Sequence, residues 1–208
     1  MDVEAGGLLT QATTGGACVP GDHRCAERWQ AGGMDEWGPR TFGDPCRACG
    51  YSWAITEAGA IAWVADLPNA LVAVLGDASG YERLPELEWT VTAYVAHVGD
   101  NLRIWAERLV GITAGGPPAV IAYDENALAT VRRYDALSLA GVVWSLDRAV
   151  HDWLDAVRAA PADLTMAHPE RGELGRAQVV RTNAHDAAHH LWDIERILDA
   201  TSCGRARR

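Results

Sequence analysis

From Ile55 onward the chain carries long runs of Ala, Leu and Val at helical spacing, broken at Gly and Pro, and this texture calls for packed helices. Four long segments fit it. The first is predicted over about Thr56 to Leu75 with Thr56 as N-cap, and Pro68 inside it should kink or divide the helix near Leu67. The second is predicted over about Pro85 to Ile112, with Pro85 in the first turn and Val91, Val95, Val98, Leu102 and Leu109 along one stripe. After a break at Gly115, Gly116, Pro117 and Pro118 comes a short helix over about Glu125 to Arg132. A third long helix follows from about Ser138 to Ala159, and a fourth from about Leu174 to Ala200. No strand-like alternation is evident. The reading is all-α: a four-helix bundle over residues 51–200, an irregular, Cys-containing N-terminal extension over 1–50 and a polar tail over 201–208.

Composition narrows the function classes. The 208 residues suit one domain with an extension, and 49% hydrophobic residues are enough to fill its core. A formal charge of -10 disfavours nucleic acid and anionic membrane surfaces as partners. All 18 basic residues are Arg, a pattern that fits codon bias in a GC-rich genome, and with no lysine the chain has no Schiff-base chemistry. No stretch approaches 18 uninterrupted apolar residues, and the N-terminus carries acids where a signal peptide carries positive charge, so a cytoplasmic location is expected. In a reducing compartment the five cysteines read as metal ligands or free thiols rather than a disulfide framework.

Three of the seven histidines fall in one stretch, HDAAHH, as His185, His189 and His190. The i, i+4 spacing of His185 and His189 puts both imidazoles on one helical face, within reach of a single metal ion, although the same spacing also occurs on solvated faces. His97, in the middle of the second helix, could supply a third ligand from across the bundle. His190 points nearer the apolar border and reads as a packing or supporting histidine. Of the nine tryptophans, Trp192, one turn beyond His189, is the one expected to wall a substrate pocket.

The segments WTVTAYVAHVGDNLRIWAERL and NAHDAAHHLWDIERIL, in an all-helical domain of this size, resemble the DinB-like superfamily of metal-binding four-helix bundles over about residues 50–200. The resemblance implies a metal triad of His97, His185 and His189 holding zinc, nickel or iron. It also implies thiol S-transfer with a mycothiol-type co-substrate. Hydrolysis of a small molecule, or a non-catalytic metal-binding or sensing role, stands beside that. Asp124 and Glu125, in YDEN, lie where related sequences carry a polar segment entering the site; they read as a general base or substrate contact, or as a helix N-terminal charge cluster. A homodimer is implied by the family's habits. Its HxxxHxE iron branch does not fit, because Leu191 stands two residues after His189.

Cys46 and Cys49 form a CRACG knuckle, in which glycine lets the backbone turn so that both thiolates face one ion. Cys18 and Cys25 lie upstream, with His23 beside them, so a structural zinc held by Cys18, Cys25, Cys46 and Cys49 is expected. A redox dithiol at Cys46 and Cys49 is the rival reading.

Overall fold

The computed structural model describes residues 38–205, with side chains to residue 201. Cys18, His23 and Cys25 lie outside the described residues, as does the side chain of Cys203. The elements are α1 (Pro39–Phe42), α2 (Glu57–Leu75), α3 (Val91–Thr113), α4 (Glu125–Arg132), a 3-10 turn (Tyr134–Ala136), α5 (Leu139–Ala159), β1 (Thr165–His168), β2 (Gly172–Gly175) and α6 (Arg176–Arg205). The four long helices form the bundle. α3 packs on α5 and α6, and α2 packs on the same two, so the successive helices α2 and α3 face each other across the bundle. Long connections permit that crossing.

Side-chain caps set most of the helix starts. Thr56, Thr90 and Ser138 accept from Gly59, Ala93 and Gly141 N–H, each cap stabilising its helix by about 1 kcal/mol. α2 runs unbroken through Pro68, because Val64, Leu67, Leu71 and Leu75 bury a continuous stripe on both sides of the missing hydrogen bond. α3 does not begin at Pro85. The stretch before it is committed elsewhere: the Glu82 carboxylate accepts from Ser79 and Gly80 N–H at 2.9 and 2.8 Å, and Val91 N–H donates to Glu82 O. Gly80 sits at φ +88°, and a Cβ there would come within 2.2 Å of Thr92 Oγ1, so the turn admits only glycine.

The apolar stripes pack as their spacing predicts. Val91, Val95, Val98, Leu102 and Leu109 on α3 meet Val142, Leu146, Val150 and Trp153 on α5 in one core with Val180, Ala184, Ala187 and Ile194 of α6. Two polar links stitch it: Trp153 Nε1 donates to Asn183 Oδ1 at 2.9 Å, and Tyr134 Oη donates to the buried Asp100 at 2.6 Å. α2 is long and apolar enough to cross a membrane by composition, yet it is one of the four packed helices.

A short hairpin departs from the all-helical expectation. β1 and β2 pair antiparallel, Met166 opposite Leu174, and Ala167 also bridges Ala119. Four-residue strands are too short to show a readable period of two, and their pairing depends on a turn and a distant segment. The hairpin matters to function because it brings His168 and Arg171 beside the segment that leads into α4. It also moves the start of α6 from Leu174 to Arg176.

Candidate metal centre

Residues from α3, α4, α6 and the hairpin line a cavity of about 820 Å³. Its wall carries all four histidines expected to matter in ligation or support: His97, His185, His189 and His190. They do not form one group. Ligand atoms of His97, Asp186 and His190 lie within 4.8 Å of one another, and those of Cys46, Cys49, His185 and His189 do likewise. The expected triad of His97, His185 and His189 is therefore divided between two clusters.

The reason lies in helix geometry. At 3.6 residues per turn, adjacent residues point about 100° apart, so HDAAHH holds two interleaved i, i+4 pairs. His185 and His189 point toward the knuckle at 46–49, while Asp186 and His190 point toward α3. The second pair was readable in the sequence, but a carboxylate paired with a histidine is a weaker signal than two histidines.

The first cluster sits in a web of fixed contacts. His97 is 5% exposed, its Nε2 is 3.7 Å from Asp186 Oδ2, and its Nδ1 is buried without a hydrogen-bond partner. Asn101, one turn on, donates to Asp186 Oδ2 at 2.6 Å and accepts from Tyr123 Oη at 3.3 Å. His190 Nε2 lies 3.8 Å from Asp186 Oδ1, and its Nδ1 lies 3.3 Å from Asp193 Oδ2. Asp193, itself buried, thereby holds the imidazole in orientation. Trp89 closes one side, with its ring 4.9 Å from His97.

Electrostatics keeps Asp186 in the ionised form that a ligand needs, whereas on His190 a metal ion would have to displace a proton. Burial works against the Asp186 carboxylate, but contact with His97, the His190 charge and the Asn101 hydrogen bond outweigh it and hold the pKa well below the carboxylate range. Burial likewise opposes the charged form of His190, and the Asp193 hydrogen bond with the Asp186 charge overcomes it, raising its pKa.

The second cluster joins the entrance segment to α6. Cys46 is buried, its Sγ lies 3.8 Å from His189 Nδ1, and its carbonyl accepts from Gly50 N–H at 2.9 Å. Gly50 adopts φ +75°, which gives the CRACG turn its glycine requirement. His185 is 4% exposed with Nε2 unpartnered, among the rings of Phe42, Tyr51 and Trp53. Burial, with the neighbouring His189, pulls His185 down to about 4, and burial pushes the Cys49 thiol up to about 11.

Asp124 and Glu125 are exposed at the cavity wall. The Asp124 carboxylate accepts from Asn126 and Ala127 N–H as the cap of α4, a structural employment. Trp192 lies tilted beside His189, with 5.6 Å between ring centroids, and under Arg196, rather than walling the cavity, whose tryptophans are Trp89 and Trp105. His168 is 3% exposed at the cavity and is pulled down to about 4 by burial and by Arg171 and Arg108. Two guanidiniums share that region: Arg108 lies over the Trp105 ring at 4.4 Å, and Arg171 lines the same wall.

A bundle whose helices present an inward two-histidine, one-carboxylate group defines the class: a metal-binding helical bundle. A sequence profile of the DinB superfamily matches residues 60–194, and the chain belongs to that superfamily. Among solved structures it is similar to YfiT from Bacillus subtilis, a protein described as a probable metal-dependent hydrolase with an unusual four-helix bundle topology. The TM-score is 0.62 at 17% identity, over 70% of this chain and 87% of that one. Comparison with curated proteins gave no match.

Proposed function

We propose that the chain is a metal-dependent enzyme acting on a small anionic molecule, with hydrolysis as the reaction and His97, Asp186 and His190 as the ligands of its catalytic ion. One observation carries the reading: these three side chains bring their ligand atoms within 4.8 Å of one another at the wall of an 820 Å³ cavity. The unpartnered, buried His97 Nδ1 and the ionised Asp186 fit a divalent cation. Three protein ligands leave coordination positions open, as catalytic sites require and closed structural sites do not. A divalent ion held there supplies Lewis acidity and activates an oxygen or sulfur nucleophile near neutral pH.

The chain's own groups supply the rest. Asn101, held by Tyr123, keeps Asp186 turned toward the ligand face, and Asp193 does the same for His190. Arg108 and Arg171 give the cavity a cationic wall for a substrate carboxylate or phosphate. Glu125, exposed at the same wall, can move a proton between the substrate and water, whereas Asp124 serves the α4 cap. Trp89 and Trp105 provide apolar faces for the substrate body. The description of YfiT supports hydrolysis over the thiol S-transfer that the family resemblance first implied.

The test pairs elemental analysis with a panel of carboxylate-bearing esters, amides and lactones, assayed with and without low-molecular-weight thiols. His97→Ala combined with His190→Ala should remove one metal equivalent and abolish turnover. Turnover that requires a thiol would replace hydrolysis by S-transfer; unchanged metal content in the variant would overturn the site.

A further inference from the structure

We propose that Cys46, Cys49, His185 and His189 form a second metal site, a closed Cys2His2 zinc centre that clips the CRACG knuckle onto α6. The four ligand atoms already lie within 4.8 Å of one another. Zinc bond lengths of about 2.0–2.3 Å in a tetrahedron place ligands roughly 3.3–3.8 Å apart, so only a small contraction is needed. The Cys46 to His189 separation of 3.8 Å is already at that limit. The buried His185 Nε2 has no protein partner, and buried polar atoms in folded proteins are seldom left so. Two thiolates with two imidazoles select zinc among common intracellular ions, and hard oxygen-seeking cations are disfavoured.

The site does something the bundle cannot do alone. Cys46 and His189 are 143 positions apart, so the ion ties the entrance segment to the last helix across most of the chain. Phe42, Tyr51 and Trp53 pack around His185 and exclude water from one side. Two weaker links run in parallel: Tyr51 Oη donates to Arg181 O at 3.0 Å, and Arg181 Nε donates to Ile55 O at 2.9 Å. Because Asp186 and His190 interleave with His185 and His189, an ion gripping one face fixes the rotation at which α6 presents the other. This centre uses none of the three ligands of the catalytic proposal, and in it two histidines take the places that the sequence reading gave to Cys18 and Cys25, which lie outside the described residues.

The experiment uses the full chain, reduced and loaded with cobalt(II) as a spectroscopic stand-in, reading metal equivalents and the near-ultraviolet thiolate-to-cobalt charge-transfer band. Wild type should show the band. It should persist at full intensity in His97→Ala with His190→Ala, and in Cys18→Ser with Cys25→Ser. Cys46→Ser with Cys49→Ser should lose the band and one metal equivalent. Should that variant fail to fold, Cys49→His retains four ligands, and its band should fall to about half as one of two thiolates is exchanged. Absence of the band in reduced wild type, its loss on replacing Cys18 and Cys25, or its survival without Cys46 and Cys49 would each overturn the site. Failure of the His97 variant to lose metal would bear on the catalytic reading alone.

Discussion

The two ligand clusters share one six-residue stretch of α6, yet they differ in nearly every property that governs metal chemistry. Cys46, Cys49, His185 and His189 offer four ligands, two of them soft thiols, and they join two distant parts of the chain. His97, Asp186 and His190 offer three harder ligands, braced by Asn101 and Asp193 and facing a cavity that carries two arginines. Ligand count and surroundings, more than the presence of histidine, separate a clip from a reaction centre. One cluster should govern stability and the other activity.

The largest expected effect breaks that separation if it is wrong. His97→Ala should lower turnover by at least about a hundredfold, beyond the 10–100-fold typical for partners of a ligand, and leave the melting midpoint within a few degrees of wild type in a thermal scan. Conversely, Cys46→Ser with Cys49→Ser should lower the midpoint by on the order of 10 °C, corresponding to roughly 3–4 kcal/mol for a chain this long. A matching drop for His97→Ala would mean that the two clusters act as one structural unit.

Smaller effects sharpen the contrast. Asp193→Asn should weaken metal binding at the histidine–carboxylate cluster by about 10–100-fold, measured by competition with a chelator, with the cobalt–thiolate band unchanged. At the hairpin end of the cavity, His168 supplies a pH signature outside both clusters. Its folded-state pKa is depressed to about 4 from 6.5, so the unfolded chain binds the proton first as pH falls. The stability it contributes is present above about pH 6.5 and is lost as pH drops toward 4. His168→Gln should flatten denaturation midpoints across that window, an effect on the order of 1–2 kcal/mol.

Much of the fold was legible in the sequence. Thr56 and Ser138 marked their helix starts, the apolar stripes marked the buried faces, and Glu57–Leu75 and Glu125–Arg132 fall where spacing put them. Pro85 misled because its preference for a first turn is local, whereas Glu82 and Gly80 tie that stretch into a turn and leave the cap to Thr90. The hairpin was hidden because four residues cannot establish a period, and its bridge to Ala119 is a long-range contact.

Local spacing along the chain specifies the helices, the knuckle and the two i, i+4 pairs in HDAAHH. How those pairs are used follows from packing between helices. A helix presents adjacent residues about 100° apart, so His185 and Asp186 cannot both face one neighbour. Which face meets α3 and which meets the CRACG turn is set by the packing of the whole bundle, through contacts between residues remote in the chain. Spacing along one helix holds no information about what lies across from it.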